Sequence, residues 1–346
     1  MSAPLLRLGV VGATGTVGRE LLGLLEARRF PLQELVPWAT SRSLGEHVEL
    51  LGHEIPVATE AAALRGLDLL LLCAPPDAAL EWVRRALKAE VLAIDVSGAL
   101  SGREEIPLAG EEVDGELLRA PLLAVPAGRV LAWARVVRAL AEVAPVERVR
   151  IAALDSAAAA GRAGIEALQA ETLGVFQQQE VPPAPVFGHP VAFDCVPRSG
   201  VEGAAEDRRA EAELPRLCVG LGRALDVEVA TVRVPAFSGS GAQLFLEVAP
   251  EREDAGRDAE SLHRAGCQAL RRAPGIELFE AEQPGPGTRA AGGSDQVAVG
   301  ALRVRGGARP SLSLFVAADP VRLVASHALR LAERRFASPG APVPGA

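Results

Sequence analysis

The chain has 346 residues, with 36 Lys and Arg against 44 Asp and Glu for a formal net charge of −8. That length suggests about two domains, and the negative balance argues against a phosphate-rich polymer as a partner. Four cysteines without paired spacing do not form a disulfide framework, and 3% aromatic residues give no stacking platform for bases. No run reaches the roughly 18–20 apolar residues of a membrane span, so the expectation is a cytoplasmic protein that engages neither nucleic acid nor membrane.

In the first 125 residues, strand-like apolar runs alternate with helical patterns, as in a parallel sheet with helical crossovers. Leu6 to Val11 reads as a strand, Thr16 to Arg28 as a helix, and Leu35 to Trp38 as a second strand. Leu67 to Cys73 is a third strand, Ala78 to Ala89 a helix and Val91 to Val96 a fourth strand. The texture changes near Arg148: Val149 to Leu154 reads as a strand and Ala163 to Gln178 as a helix. The Pro-rich stretch Gln179 to Pro197 reads as an extended connection. Val227 to Pro235, Ala242 to Val248, Val297 to Val304 and Leu312 to Ala317 then read as a mostly antiparallel sheet. Pro320 to Arg335 reads as a final helix, before a flexible tail at 337–346.

The first strand leads directly into Gly12-Ala13-Thr14-Gly15-Thr16-Val17-Gly18, which opens the first helix. Glycines allow a tight turn and close approach to a pyrophosphate, and the helix N-terminus offers its N–H groups to the anion. The fold class expected is therefore α/β: a Rossmann-like doubly wound parallel sheet followed by an α+β domain. After the second strand comes Ala39-Thr40-Ser41-Arg42-Ser43, with hydroxyls and an arginine where an NAD site places an acid. This suits a ribose 2′-phosphate, hence NADP, although a solvated loop arginine would look the same. The cofactor-binding candidates are Gly12, Thr14, Gly15, Thr16, Val17, Gly18, Thr40, Ser41, Arg42 and Ser43.

Val10 to Leu22 together with Ala39 to Gly45 resembles the aspartate-semialdehyde dehydrogenase family. The likeness continues in order through Ile94 to Ala99, Gly164 to Leu168, Val191 to Pro197, Val232 to Pro235 and Ala317 to Arg322. The resemblance implies an NAD(P)-binding domain at 1–125 plus 320–336 and a substrate and dimerisation domain at 126–319. It also implies a homodimer, with pairing to an active relative as an alternative. The family interconverts aspartyl phosphate and aspartate semialdehyde with NADPH, through a cysteine thiolate, a proton-moving histidine and an oxyanion environment.

Position by position, that machinery is missing. The turn that holds the nucleophile corresponds to Val125 to Val130, with Gly128 at the cysteine position. Ser240 stands at the histidine position and Asp155 at the active-site glutamine, while Ser101 replaces a phosphate-binding arginine. A Gly-Gly pair near the cofactor becomes Pro75-Pro76, whose rings would crowd the nicotinamide end. Arg233 matches the substrate-carboxylate arginine, and Glu206 to Arg209 approximates an acidic-plus-basic substrate motif, making Asp207 and Arg209 candidates beside it. No metal site is expected among the five histidines, and Cys73, Cys195, Cys218 and Cys267 read as small buried hydrophobes.

This pattern resembles the catalytically degenerate usg-type homologues. Three readings follow: a non-catalytic homologue that keeps NADP binding and dimerisation, an oxidoreductase of altered, non-covalent mechanism with Asp155 as proton donor, or a purely structural dimer partner.

Overall fold

The computed structural model describes residues 5–336 apart from 41–42, 44, 60–63, 180–181, 183, 199, 222–223, 250–257, 281 and 308. Ser41, Arg42 and the tail expected at 337–346 lie outside the described residues. The chain divides into two compact units, Met1–Ala127 with Val321–Ala346, and Gly128–Pro320.

The first unit is built on a parallel sheet of β1 (Leu6–Val11), β2 (Leu32–Trp38), β5 (Leu69–Leu72), β6 (Leu92–Asp95) and β7 (Leu122–Ala124), ordered β2-β1-β5-β6-β7. Leu69 to Leu72 are all fully buried, which is why this strand reads as a continuous apolar run and not an alternating one. α1 (Thr16–Ala27) and α2 (Pro76–Lys88) follow β1 and β5, and α7 (Pro320–Phe336) packs into the same unit. Arg322 of α7 pairs with Glu20 of α1 at 2.9 Å. A small hairpin, β3 (His47–Leu50) with β4 (His53–Pro56), was not legible as strands. Its two-residue turn, Leu51-Gly52, has positive φ at both positions (53° and 75°), as tight hairpin turns require.

The second unit opens with α3 (Gly128–Ala141) and carries a seven-stranded sheet, β12-β13-β14-β11-β8-β10-β9. Its strands are β8 (Val146–Asp155), β9 (Val196–Pro197), β10 (Asp226–Arg233), β11 (Ser240–Val248), β12 (Ile276–Leu278), β13 (Val297–Arg305) and β14 (Ser311–Ala318). The sheet is mostly antiparallel, but β8–β10 and β12–β13 are parallel pairs. The β8–β10 connection carries α4 (Gly161–Phe176) and α5 (Gly200–Leu217), the length a parallel return demands. The sequence reads as helical around Cys267, inside α6 (Ala259–Arg272), but sets bounds for neither α5 nor α6; α5 is rich in charge and holds Pro215 inside it, which masks its period.

α3, α5 and α6 pack against this sheet. The alternation of β8 sorts its two faces: Val149, Ile151 and Ala153 are buried, while Arg150 and Ala152 are exposed. On the exposed face, Arg148 pairs with Asp226 and Glu247 at 2.6 and 3.2 Å, and Arg150 with Glu228 and Glu247 at 2.8 and 3.1 Å. Phe245, opposite Arg150 in the register, is half exposed.

Candidate functional site

In the first unit the chain turns from β1 into α1 at Gly12, where φ is +83° and a Cβ would sit 2.7 Å from the Ala74 nitrogen. A Cβ at Gly18 would sit 2.3 Å from the Gly12 carbonyl oxygen, so the loop and helix touch backbone to backbone. Gly15 caps α1 without a side-chain hydrogen bond, and the first turn, Thr16, Val17 and Gly18, carries no acid. Its N–H groups and the positive end of the helix dipole are therefore left to an external anion. The Thr14 and Ser43 hydroxyls lie 3.1 Å apart, so the glycine loop and the loop after β2 meet.

A cavity of about 350 Å³ opens at this carboxyl edge of the sheet, lined by Gly12, Thr14, Gly15, Thr40 and Thr59 among others. Trp38 and Trp82 also line it; sequence reading missed both, because one ends a strand and the other belongs to the amphipathic period of α2. Their rings are 5.1 Å apart and tilted by 46°.

In the second unit the register sets three expected positions side by side: Asp155 of β8 lies between Arg233 of β10 and Ser240 of β11. Asp155 is only 4% exposed, and its Oδ2 accepts from Arg198 at 2.8 Å and pairs with Arg129 at 3.5 Å. Arg129 comes from the first turn of α3, and also donates to Thr231 at 3.2 Å and meets Asp207 at 3.5 Å. Asp207 accepts from the Thr231 hydroxyl at 2.5 Å, while Arg198 holds Glu206 at 2.6 Å. Burial works against the Arg198 charge, but Glu206, Asp155 and Asp207 together outweigh it and raise its pKa.

Of the other candidates, Arg209 pairs with Glu213 at 3.5 Å, one turn along α5. Arg233 stacks on Phe187, its guanidinium carbon 4.4 Å from the ring centroid, and its buried Nε has no hydrogen-bond partner among the described residues. Burial, and then the neighbouring Arg198, lower its pKa against the pull of Asp155 and Glu206. Sequence reading missed Arg129 and Arg198. Arg129 could have been flagged, since it directly follows the cysteine position, but nothing local marks Arg198.

Gly128 itself has no room for a side chain: a Cβ there would lie 1.9 Å from the Pro320 carbonyl oxygen. Of the remaining thiols, Cys218 is buried, and burial pushes its pKa up to about 12. Cys73 lines the nucleotide cavity, and burial, helped by Asp95, also pushes its pKa up to about 12. Burial raises Cys267 as well. Cys195 is exposed, which corrects its reading as a buried hydrophobe; it sits in the irregular stretch just before β9, where no apolar layer covers it. Iodoacetamide near pH ~8 should therefore label Cys195 first and spare Cys73 and Cys218 in the folded protein, as peptide mass mapping would show. Among the described residues no cluster of three or more His, Cys, Asp or Glu could hold a metal, and no helix is long and apolar enough to cross a membrane.

The parallel sheet, its glycine loop and the second mixed sheet define a two-part protein with an NAD(P)-binding domain. Residues 7–120 match the family model for the semialdehyde dehydrogenase NAD-binding domain, and residues 137–323 match that for the semialdehyde dehydrogenase dimerisation domain. The chain belongs to the aspartate-semialdehyde dehydrogenase family. It is 29% identical to an aspartate-semialdehyde dehydrogenase of Aquifex aeolicus, over 94% of this chain and 97% of that one. It is also 29% identical to a USG-1 protein homolog of Azotobacter vinelandii, over 96% and 98%. The crystal structure of aspartate semialdehyde dehydrogenase II from Vibrio cholerae, complexed with ASA, superposes with a TM-score of 0.84 at 27% identity, covering 96% of this chain and 98% of that one.

Proposed function

We propose that this protein is a non-catalytic homologue of aspartate-semialdehyde dehydrogenase that keeps NADP binding and homodimerisation. The observation that carries the reading is the closure of the nucleophile position, where the Pro320 carbonyl occupies the space of a Gly128 side chain. A cysteine mechanism needs a sulfur there; the exposed Cys195 directly precedes Val196, which pairs with Arg233 in register, but it does not stand at the nucleophile position. Losing nucleophile and base together leaves only binding and electrostatic effects.

The residues of the glycine loop suit the cofactor. Gly12 and Gly18 are sites where a side chain would collide with backbone, and the α1 N-terminus is uncapped by any side chain. Thr14, Gly15, Thr40 and Ser43 would hold NADP, and by their chemistry Ser41 and Arg42, outside the described residues, suit its 2′-phosphate. When bound, NADP supplies hydride chemistry; here its role is structural or regulatory. An altered, non-covalent mechanism fits less well, because the Asp155 carboxylate is paired through Oδ2 with two guanidinium groups. Intact-mass measurement after incubation with aspartate semialdehyde, phosphate and NADP should show no acyl adduct. A stable mass increment mapped to a single residue would contradict the reading.

For the dimer, the supporting feature is the face of the second sheet on which Phe245 is half exposed amid paired arginines and carboxylates. Two copies related by a two-fold axis can bury this face against itself. Phe245→Arg should shift the protein from dimer to monomer in light scattering coupled to gel filtration; a variant that remains dimeric places the interface elsewhere.

A further inference from the structure

The nucleotide cleft is asymmetric in a way that the family reaction does not require. Two helices point their N-termini to the carboxyl edge of the sheet, α1 after β1 and α2 after β5. The first turn of α1 is free of acids, and its cap, Gly15, leaves it open. α2 instead starts with Pro75 at the cap and Pro76 in the first turn, followed by Asp77. Neither proline has an N–H to donate, and Asp77 puts a negative charge where an anion would come. Anion binding at this edge therefore falls to α1 alone.

The same cavity is rich in π-surface. Trp82 leans on Trp38, and the Arg85 guanidinium lies 5.3 Å from the centroid of the Trp82 ring, held there by an ion pair with Glu81. Trp38, Glu81, Trp82 and Arg85 all line the same cavity as Gly12 and Gly15. A base can stack on indole and guanidinium faces while its 5′-phosphate reaches the α1 N-terminus. Thr40 and Thr59 line the same cavity, with hydroxyls for a ribose. Such a lining suits a nucleoside phosphate, and Pro75, which cannot donate an N–H, is also part of it.

We propose that this cleft is an adenosine 5′-nucleotide site, in which the base on Trp82 and Arg85 and the phosphate on α1 supply the affinity and the nicotinamide half of a dinucleotide supplies none. The proposal rests on the cleft being a nucleotide site and narrows what it recognises. On that reading, a chain without hydride chemistry has no need to grip the ring that carries the hydride.

The test is isothermal titration of the full chain with ADP, 2′,5′-ADP, NADP and nicotinamide mononucleotide. The proposal predicts that the tighter of the two adenosine ligands binds within about tenfold of NADP, and that nicotinamide mononucleotide gives no heat. Trp82→Ala should weaken adenosine ligands and NADP alike by roughly tenfold, the scale of one base stack, and Trp82→Phe should restore most of it. NADP binding more than about tenfold tighter than both adenosine ligands overturns the proposal while leaving the cleft an NADP site. Unchanged affinity in a folded Trp82→Ala protein overturns it as well. If no nucleotide binds, both this proposal and the reading of the cleft fail together.

Discussion

Gly128→Cys, the substitution that restores the missing thiol, is expected to yield an inactive protein destabilised by about 2–4 kcal/mol, at or above the usual cost of overpacking. A Cβ at this position would lie 1.9 Å from the Pro320 oxygen and 2.6 Å from its carbonyl carbon. The obstruction is backbone, so a rotamer change cannot relieve it. α3 is buried along most of its length, which denies it an easy retreat. Urea denaturation of wild type and variant, with the slope checked for constancy, gives the difference. A Gly128→Cys protein as stable as wild type would mean that the Pro320 carbonyl yields without cost, and the closure argument would lose its basis.

Asp155→Ala is expected to cost about 3 kcal/mol or more, since truncating one member of a buried ion-pair network strands the charges it served. Arg129 and Arg198 would keep only Asp207 and Glu206 respectively as carboxylate partners. Arg129 is buried beside Trp133, its guanidinium carbon 5.5 Å from the ring centroid, so it cannot swing into solvent without giving up that packing. Adding Arg129→Met should recover part of the loss, because the second change removes one of the stranded charges. Equal unfolding midpoints for Asp155→Ala and wild type would contradict the network as drawn. The same result would reopen Asp155 as a free proton donor.

The two predictions together probe one buried neighbourhood. Arg129 directly follows Gly128, and its guanidinium is paired with Asp155. Arg233 is left with an aromatic ring as its support.

Much of this is legible in the sequence because of where the signals lie. The β1–α1 junction is local in sequence: an apolar strand, three glycines and an amphipathic helix within the first turn of the fold, each obeying its own period. Asp155, Arg233 and Ser240 were found through resemblance, and sheet register explains why they belong together, since β10 and β11 flank β8. Arg198 could not be found that way. It enters from an irregular segment just after β9 and earns its place only through contacts with residues 43 and eight positions distant, Asp155 and Glu206. The clash at Gly128 was equally hidden: glycine at a cysteine position reads as a loss, whereas the structure adds that the space has been taken by a carbonyl from 192 residues along the chain (320 − 128). The bounds of α5 and α6 escaped because the exposed faces of these helices are dense in charge, and burial of a few positions such as Leu262 and Leu270, rather than propensity alone, fixes them on the sheet.

The most direct test of the central claim is the rate of NADPH formation from aspartate semialdehyde, phosphate and NADP, measured at high protein concentration beside a catalytically complete relative. The account predicts a rate at the no-enzyme background, unchanged in Ser240→Ala and Asp155→Asn. Saturable, phosphate-dependent NADPH formation by the purified wild-type protein, lost in either variant, would contradict it.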